Sequence, residues 1–401
     1  MKILHTADWH LGKRLDHFHR LEEQIQVMAE ITEIADREQV DMVLIAGDLF
    51  DNFNPGTEAT DLFYKTLKQL SANGKRPVIA IAGNHDSPSF INAPNPLARE
   101  CGIILIGSPA AVVQPFELEH FRISQTDEGF LELELHHIEF PIRLLHTAYA
   151  NETRLKEFLG EDKETELNRV LAERWKHLAE TYCNTDGINL LMTHLYMNKN
   201  GETLLQEPDG EKPIRIGNAD MIYSESIPEQ IQYTALGHLH GHKNIGSAER
   251  PVVYASSPLC YSFSEAGQTK YVCLITAKPA QQATYERVAL TTGKSLHRKT
   301  FTATEEALEW LGQNPECLVE LTLESDTFLP AADRKRLYET HSGIVHLIPK
   351  VRHSATAETS AVNIDLNQEL LPLFKDFFKH KNGGQEPNEE LVQLFNEIIN
   401  S

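Results

Sequence analysis

At 401 residues, with 41% hydrophobic and 24% charged side chains, the chain is longer than one core usually fills and too apolar for global disorder, so a main domain with smaller units is expected. Its five cysteines are scattered without a C-x-x-C pair, which excludes a disulfide framework and a zinc-thiolate site, and no apolar run approaches the ~18 residues of a membrane span. The net charge of −21 argues against a broad basic footprint of the kind that nucleic acid requires.

The N-terminus enters a strand-like run at once, Lys2 to Ala7, with no basic leader, so a reducing cytoplasmic location is expected and secretion is not. That run ends at Asp8-Trp9-His10. Leu21, Ile25, Met28, Ile31, Ile34 and Ala35 then recur at the spacing of one helix face. Val40 to Ala46 repeats the apolar run and ends at Gly47-Asp48, with Asp51 just beyond. A second helix is predicted from Thr57 as N-cap through Leu62, Phe63, Thr66, Leu67 and Leu70 to a stop at Gly74. A third run, Pro77 to Ala82, ends at Gly83-Asn84-His85-Asp86.

Residues 107–140 read as an antiparallel insertion, on the alternation of Phe130 to Leu135, and 152–182 as a charged amphipathic helix. Two further runs, Ile188 to Thr193 and Ile231 to Leu236, end at His194 and at Gly237-His238-Leu239-His240. Helices alternating with buried strands predict an α/β fold with its sheet covered on both faces. Such sheets gather their chemistry at the carboxyl ends of the strands, so the five polar tips should converge.

From residue 279 to 352 the pattern restarts as a small α+β unit. It comprises a strand over Tyr285–Leu290, a helix over Thr304–Leu311, a strand over Cys317–Leu323, a short helix near Asp333–Tyr338 and a strand over Ile344–Ile348. A polar stretch, His353 to Ser360, leads to two short amphipathic helices, Leu366–Lys379 and Asn388–Ile399, separated by Lys381-Asn382-Gly383-Gly384. The expected organisation is therefore 1–278, 279–352 and 353–401.

Hydrolysis of a phosphodiester needs a strong nucleophile at neutral pH and neutralisation of the charge that builds on phosphorus; two divalent metals about 3.5–4 Å apart supply both. Such a pair needs a carboxylate that can bridge, with several nitrogen or oxygen ligands around it. The strand tips offer that mixture. The alternation Asp8/His10 and His238/His240 puts each pair on one side if the segment is extended, and glycine before Asp48, Asn84 and His238 permits a close backbone approach. Carboxylate, amide and imidazole without thiolate suit manganese, iron(II) or zinc in five- or six-fold coordination.

Taken together and in this order, the motifs resemble the signature of the calcineurin-like metallophosphoesterases over roughly the first 275 residues. The resemblance implies a metallophosphoesterase β-sandwich flanked by helices, plus a small α+β cap and a C-terminal helical tail. It implies that Asp8, His10, Asp48 and His240 hold one metal and Asp48, Asn84, His194 and His238 the other, with Asp48 as bridge and manganese as the expected ion. It also implies that His85 faces the scissile phosphate, to stabilise charge or protonate the leaving oxygen.

Finer matches, chiefly Ser257-Pro258-Leu259-Cys260-Tyr261-Ser262-Phe263-Ser264-Glu265-Ala266 followed by Lys270, resemble the SbcD-type nuclease subunits of bacterial SbcCD complexes. Glycine is common in those relatives before Ser-Pro, where this chain has Ser256. The resemblance implies a manganese-dependent double-strand exonuclease and single-strand or hairpin endonuclease of DNA, an SbcC-type ATPase partner with a coiled coil, and a homodimer of the nuclease subunit. The tail helices, too short to stand alone, would dock on that coiled coil or pack back on their own domain.

Rival readings are a phosphodiesterase or phosphatase on small nucleotides or phosphoproteins, and a metal-stabilised scaffold. The phosphoprotein version is weakened by aspartate, where such phosphatases carry glutamate, at Asp86. His5, His146, His136 and His137 read as structural, His242 as a surface residue, Trp9 as packing beneath the site and Asp51 as support. Lys13, Arg14, His17, His19 and Arg20 read equally as DNA-backbone contacts or a solvated loop.

Overall fold

The computed structural model describes residues 1–158, 163–207, 221–325, 329–351 and 370–381, with residues 387, 391, 392 and 395. Two compact units emerge, one of Met1–Arg298 with Glu316–Glu320 and Gly343–Val345, the other of Lys299–Pro315, Leu321–Ser342 and His346–Ser401.

In chain order the first unit runs β1 (Lys2–Thr6), a small hairpin of β2 (Arg14–Leu15) and β3 (Phe18–His19), helix α1 (Leu21–Arg37), β4 (Met42–Ala46), α2 (Thr57–Leu70) and β5 (Val78–Ile81). The short helices α3 (Pro88–Asn92) and α4 (Asn95–Glu100) lead to β6 (Ile103–Ile106), then β7 (Phe116–Glu117), β8 (Phe121–Asp127), β9 (Phe130–Leu135) and β10 (Ile142–Thr147). After α5 (Glu152–Leu155) and α6 (Lys163–Tyr182) come β11 (Ile188–His194), β12 (Tyr196–Asn198), β13 (Met221–Tyr223), β14 (Tyr233–Gly237), β15 (Lys243–Asn244), β16 (Val252–Tyr254), β17 (Tyr271–Thr276) and β18 (Thr284–Ala289).

These strands build two sheets, one in the order β18-β17-β1-β4-β5-β6 and one in the order β15-β16-β14-β11-β10-β9-β8-β7. Both have parallel centres: β1, β4, β5 and β6 in the first, β10, β11, β14 and β16 in the second. A parallel strand covered on both faces reads as a continuous apolar run, and every residue of β4 is buried. Ile3, Leu44 and Ile79 of one sheet share a core with Leu133, Leu144 and Leu190 of the other, which makes the pair a sandwich. Leu167, Leu171 and Trp175, one turn apart on α6, cover the far face of the second sheet through Leu145 and Leu191.

The C-terminal third holds a sheet in the order β19 (Ser295–Phe301), β20 (Cys317–Ser325), β21 (Ile344–Val351), with helices α7 (Thr304–Gln313) and α8 (Ala331–Thr340). Beyond it lies α9 (Leu370–Lys381), where Phe374 stacks on Phe395 at 4.0 Å. The polar stretch 353–360, residues 366–369 and 382–384, and most of the second tail helix predicted over 388–399 lie outside the described residues. Among the described residues no helix is long and apolar enough to cross a membrane.

Several expectations need correction. The N-cap of α2 is Gly56, and Thr57 is the first helical residue. Ile25 is 42% exposed, because the apolar stripe of α1 is narrower than its spacing implied. The helix expected over 152–182 is interrupted: α5 ends at Lys156, whose φ of 58° is left-handed and cannot continue a helix. The strand predicted over Tyr285–Leu290 pairs antiparallel with β17 in the first sheet, and β19, polar on its exposed side, had no apolar run to announce it.

Candidate metal centre

The five polar tips follow the carboxyl ends of β1, β4, β5, β11 and β14, and the loops among them are laced together. Asp8 N–H donates to Gly47 O at 3.0 Å and His10 N–H to Asp48 O at 2.9 Å. The segments are not extended: φ is positive at Asp8 (54°), His10 (43°), Asp48 (47°) and His238 (103°). Each such residue costs on the order of 1–3 kcal/mol, and a cluster of them persists only where the surroundings over-determine it, as at functional sites. Close approach makes glycine obligatory at three tips, since a Cβ at Gly47 would lie 2.2 Å from His194 Nδ1, one at Gly83 2.1 Å from Asp48 Oδ1 and one at Gly237 1.8 Å from Ala46 O.

Asp48, almost fully buried, sits between two histidines, with its Oδ2 3.6 Å from His10 Nε2 and 3.3 Å from His194 Nε2. His194 Nδ1–H donates to Ala46 O at 2.9 Å, which leaves its Nε2 2.9 Å from Asn84 Oδ1. Once its second proton is lost, the imidazole so held presents a lone pair there, and three electron donors then converge on one point. On the other side His10 Nε2 and His240 Nε2 lie 3.0 Å apart, an arrangement that needs a proton or a cation between them. Asp8 Oδ1 accepts from His238 N–H at 2.8 Å, while its Oδ2 is buried without a hydrogen-bond partner.

This donor set fits a divalent pair. Asp48, His194 and His238 bring ligand atoms within 4.8 Å of one another, and so do His10, Asp51 and His85. The second grouping includes Asp51, whose carboxylate already binds Lys13 at 3.1 Å and Asn52 at 2.9 Å. Burial opposes ionisation of Asp48, but His194, then His10 and His85, hold its carboxyl well below the usual range. Burial pushes Asp8 up to about 7 against the pull of His194. For His194 burial disfavours the charge, yet Asp48 outweighs it and raises the imidazole to about 9.

The sequence matches the calcineurin-like phosphoesterase family over residues 1–242. It is 36% identical to the SbcD chain of the SbcCD nuclease of Bacillus subtilis (strain 168), an alignment that covers 99% of this chain and 97% of that protein. The chain belongs to the SbcD family of calcineurin-like phosphoesterases. Other SbcD chains of SbcCD nucleases align less completely: that of Rhodobacter capsulatus at 31% identity over 69% of this chain and 66% of its own length, and that of Staphylococcus epidermidis at 29% over 67% and 64%. As an SbcD family member the chain is a phosphodiester hydrolase with a divalent two-metal site.

Around the centre of this SbcD family member stand supports that motif reading missed. Asp86 ties two loops together, accepting from Gly83 N–H (2.8 Å), Leu49 N–H (3.0 Å) and Phe50 N–H (2.9 Å). Its place beside His85 was the only signal. Arg154 donates to Gly83 O and Asp86 O, each at 2.8 Å, and stacks on Tyr149 at 4.8 Å. Glu207 lies 2.7 Å from His238 Nε2 and Glu265 lies 3.3 Å from His240 Nδ1. His85 Nδ1 is 2.8 Å from Asp51 O.

The remaining expectations sort by contact. Trp9 is buried and donates to Thr6 Oγ1 at 3.0 Å. His5 is a satisfied core residue bonded to Tyr233 Oη (3.0 Å) and Leu236 O (3.2 Å), and His242 is half-buried between Tyr271 and Tyr285 instead of lying on the surface. Arg20 is 1% exposed and occupied by Glu23 at 2.6 and 2.9 Å, so it leaves the candidate DNA contacts, whereas Arg14, His17 and His19 stay at the surface. Ser256 has φ of 95°; its Oγ anchors the turn by accepting from Tyr271 N–H at 2.9 Å.

Proposed function

We propose that this chain cleaves DNA phosphodiester bonds as the nuclease subunit of an SbcCD-type complex, as double-strand exonuclease and single-strand or hairpin endonuclease, in DNA repair, recombination and replication. The observation that carries the reading is Asp48, set between His10 and His194 with Asp8 and Asn84 alongside. On it, Asp8, His10, Asp48 and His240 hold one ion and Asp48, Asn84, His194 and His238 the other, both manganese. When bound, the ions acidify a water and neutralise charge on the phosphate. Asp48 keeps the two sides in register, and Asn84 and His194 share one point of that frame. His85, oriented through Nδ1 by Asp51 O, turns Nε2 to the phosphate and protonates the leaving oxygen or stabilises its charge.

Partners follow from charge. Between Pro279 and Arg352, the stretch read from the sequence as a cap, nine Lys and Arg face ten Asp and Glu, so it is close to neutral. The isolated chain then binds DNA weakly and salt-sensitively, and a second copy and an SbcC-type ATPase provide most of the grip. The segment 353–401, with Leu370 and Phe377 of α9 more than half exposed, docks on the coiled coil of that ATPase in the cytoplasm.

A manganese-supplemented assay that offers duplex DNA, hairpin DNA, a cyclic nucleotide and a chromogenic monoester tests the reading. Cleavage of both DNA forms is expected. Preference for the monoester would make this a phosphatase.

A further inference from the structure

The stretch 257–266 with Lys270 contains none of the proposed metal ligands, yet its polar centre is buried. Glu265 is 2% exposed and closes the turn Phe263–Glu265. Its Oε1 accepts from the N–H groups of Tyr261 (3.1 Å) and Ser262 (3.0 Å) and from the Ser262 hydroxyl (3.1 Å). The same oxygen lies 3.3 Å from His240 Nδ1. Oε2 accepts from Lys270 Nζ at 2.5 Å. Lys270, 5% exposed, donates also to the His240 carbonyl at 2.8 Å, and Ser257 N–H reaches that carbonyl at 3.2 Å.

Capping a turn explains only half of this. The capping box is complete with Oε1 and Ser262. A buried lysine on the other oxygen adds a desolvated ion pair, which at best breaks even against apolar residues of the same volume. What the pair adds is a grip on His240 at both ring and backbone. An imidazole that donates Nδ1–H to a carboxylate carries its lone pair on Nε2. That Nε2 is the atom 3.0 Å from His10 Nε2.

We infer that Glu265, paired with Lys270, is a positioning residue that fixes the tautomer of His240 and aims its Nε2 at the ion shared with His10, an assignment that rests on the two-metal reading above. The stretch 257–270 is then a brace for one half of the centre. Two more of its groups reach outward: Tyr261 Oη donates to Trp9 O, which fastens the brace to the Asp8–His10 tip, and Cys260 O accepts from Arg20 at 3.0 Å, which fastens it to the start of α1.

The test uses the full chain stripped of metal, titrated with manganese alone in a calorimeter, beside its metal-free melting temperature and the imidazole nitrogen shifts of ¹⁵N-histidine-labelled protein. Wild type should take up two equivalents. Glu265→Gln should keep one at wild-type affinity and weaken the other roughly 10- to 100-fold, with the His240 signal losing its Nδ1–H character. Lys270→Met, which leaves the bonds of Oε1 in place, should weaken the same equivalent by less, and it decides the matter if Glu265→Gln does not fold. Two equivalents at wild-type affinity in a folded variant would overturn the inference, as would an equal loss at both that follows a fall in melting temperature. Wild type that binds fewer than two equivalents would overturn the two-metal reading itself, and the inference with it.

Discussion

The two sides of the centre are held by different means. His194 ends a central strand and is oriented by a main-chain carbonyl, Ala46 O, with Gly237 packed against that same carbonyl. His240 lies beyond its strand and is oriented by side chains that return from 25 and 30 residues downstream. Sheet geometry supplies the first side, and no single substitution removes a carbonyl. Ion-pair chemistry supplies the second, which is therefore the side that sequence change can tune. His238 shows an intermediate case, backed by Glu207 from the loop after β12.

The largest effect that bears on this contrast should come from Asp48→Asn, which removes the carboxylate common to both sides. Both manganese equivalents should be lost, and DNA cleavage should fall on the order of 10³-fold or more. Retention of one tight equivalent would show that the sides are independent. His85→Ala comes next: cleavage should drop about 10²- to 10⁴-fold with metal content unchanged, and normal cutting would dismiss its catalytic role. Arg154→Met should loosen the Gly83–Asp86 loop and weaken chiefly the ion at Asn84, by roughly 10-fold, as read by titration.

Protons give a further handle on the His194 side. With its imidazole raised to about 9, metal-free protein holds that proton at neutral pH. The stability it adds is complete below the unfolded value of about 6.5 and is lost as pH rises through 9. Melting temperature of the stripped protein should therefore fall across that window, while manganese affinity rises toward about tenfold per pH unit until the proton is gone. Affinity that does not change between pH 7 and 9 would place the proton elsewhere. The smallest change expected is that of Ser256→Gly, which trades relief of a positive φ for loss of the Oγ anchor, within about 1 kcal/mol by thermal melts.

Much of this was legible in the chain. Asp8, Asp48, Asn84, His194 and His238 announce themselves because each follows a short apolar run of the kind a buried strand makes, whereas their division between two sheets left no mark in the sequence. The left-handed φ at Asp8 and His10 was not legible, since it arises from lacing to Gly47 and Asp48, far along the chain. Nor was the place of the strand at Tyr285, because the alternation that marks a strand carries no information about which neighbour it pairs with.

Sequence alone determined the chemistry: which donors exist, that thiolate is not among them, and that glycine precedes three of the tips. Tertiary structure alone decided which atoms of those donors face one another. It fixed the tautomer of His194 through Ala46 O, closed the loops through Asp86 and Arg154, and put Glu265 and Lys270 behind His240. A histidine's two nitrogens are the same letter in a sequence, and only the partner of one tells which way the other points.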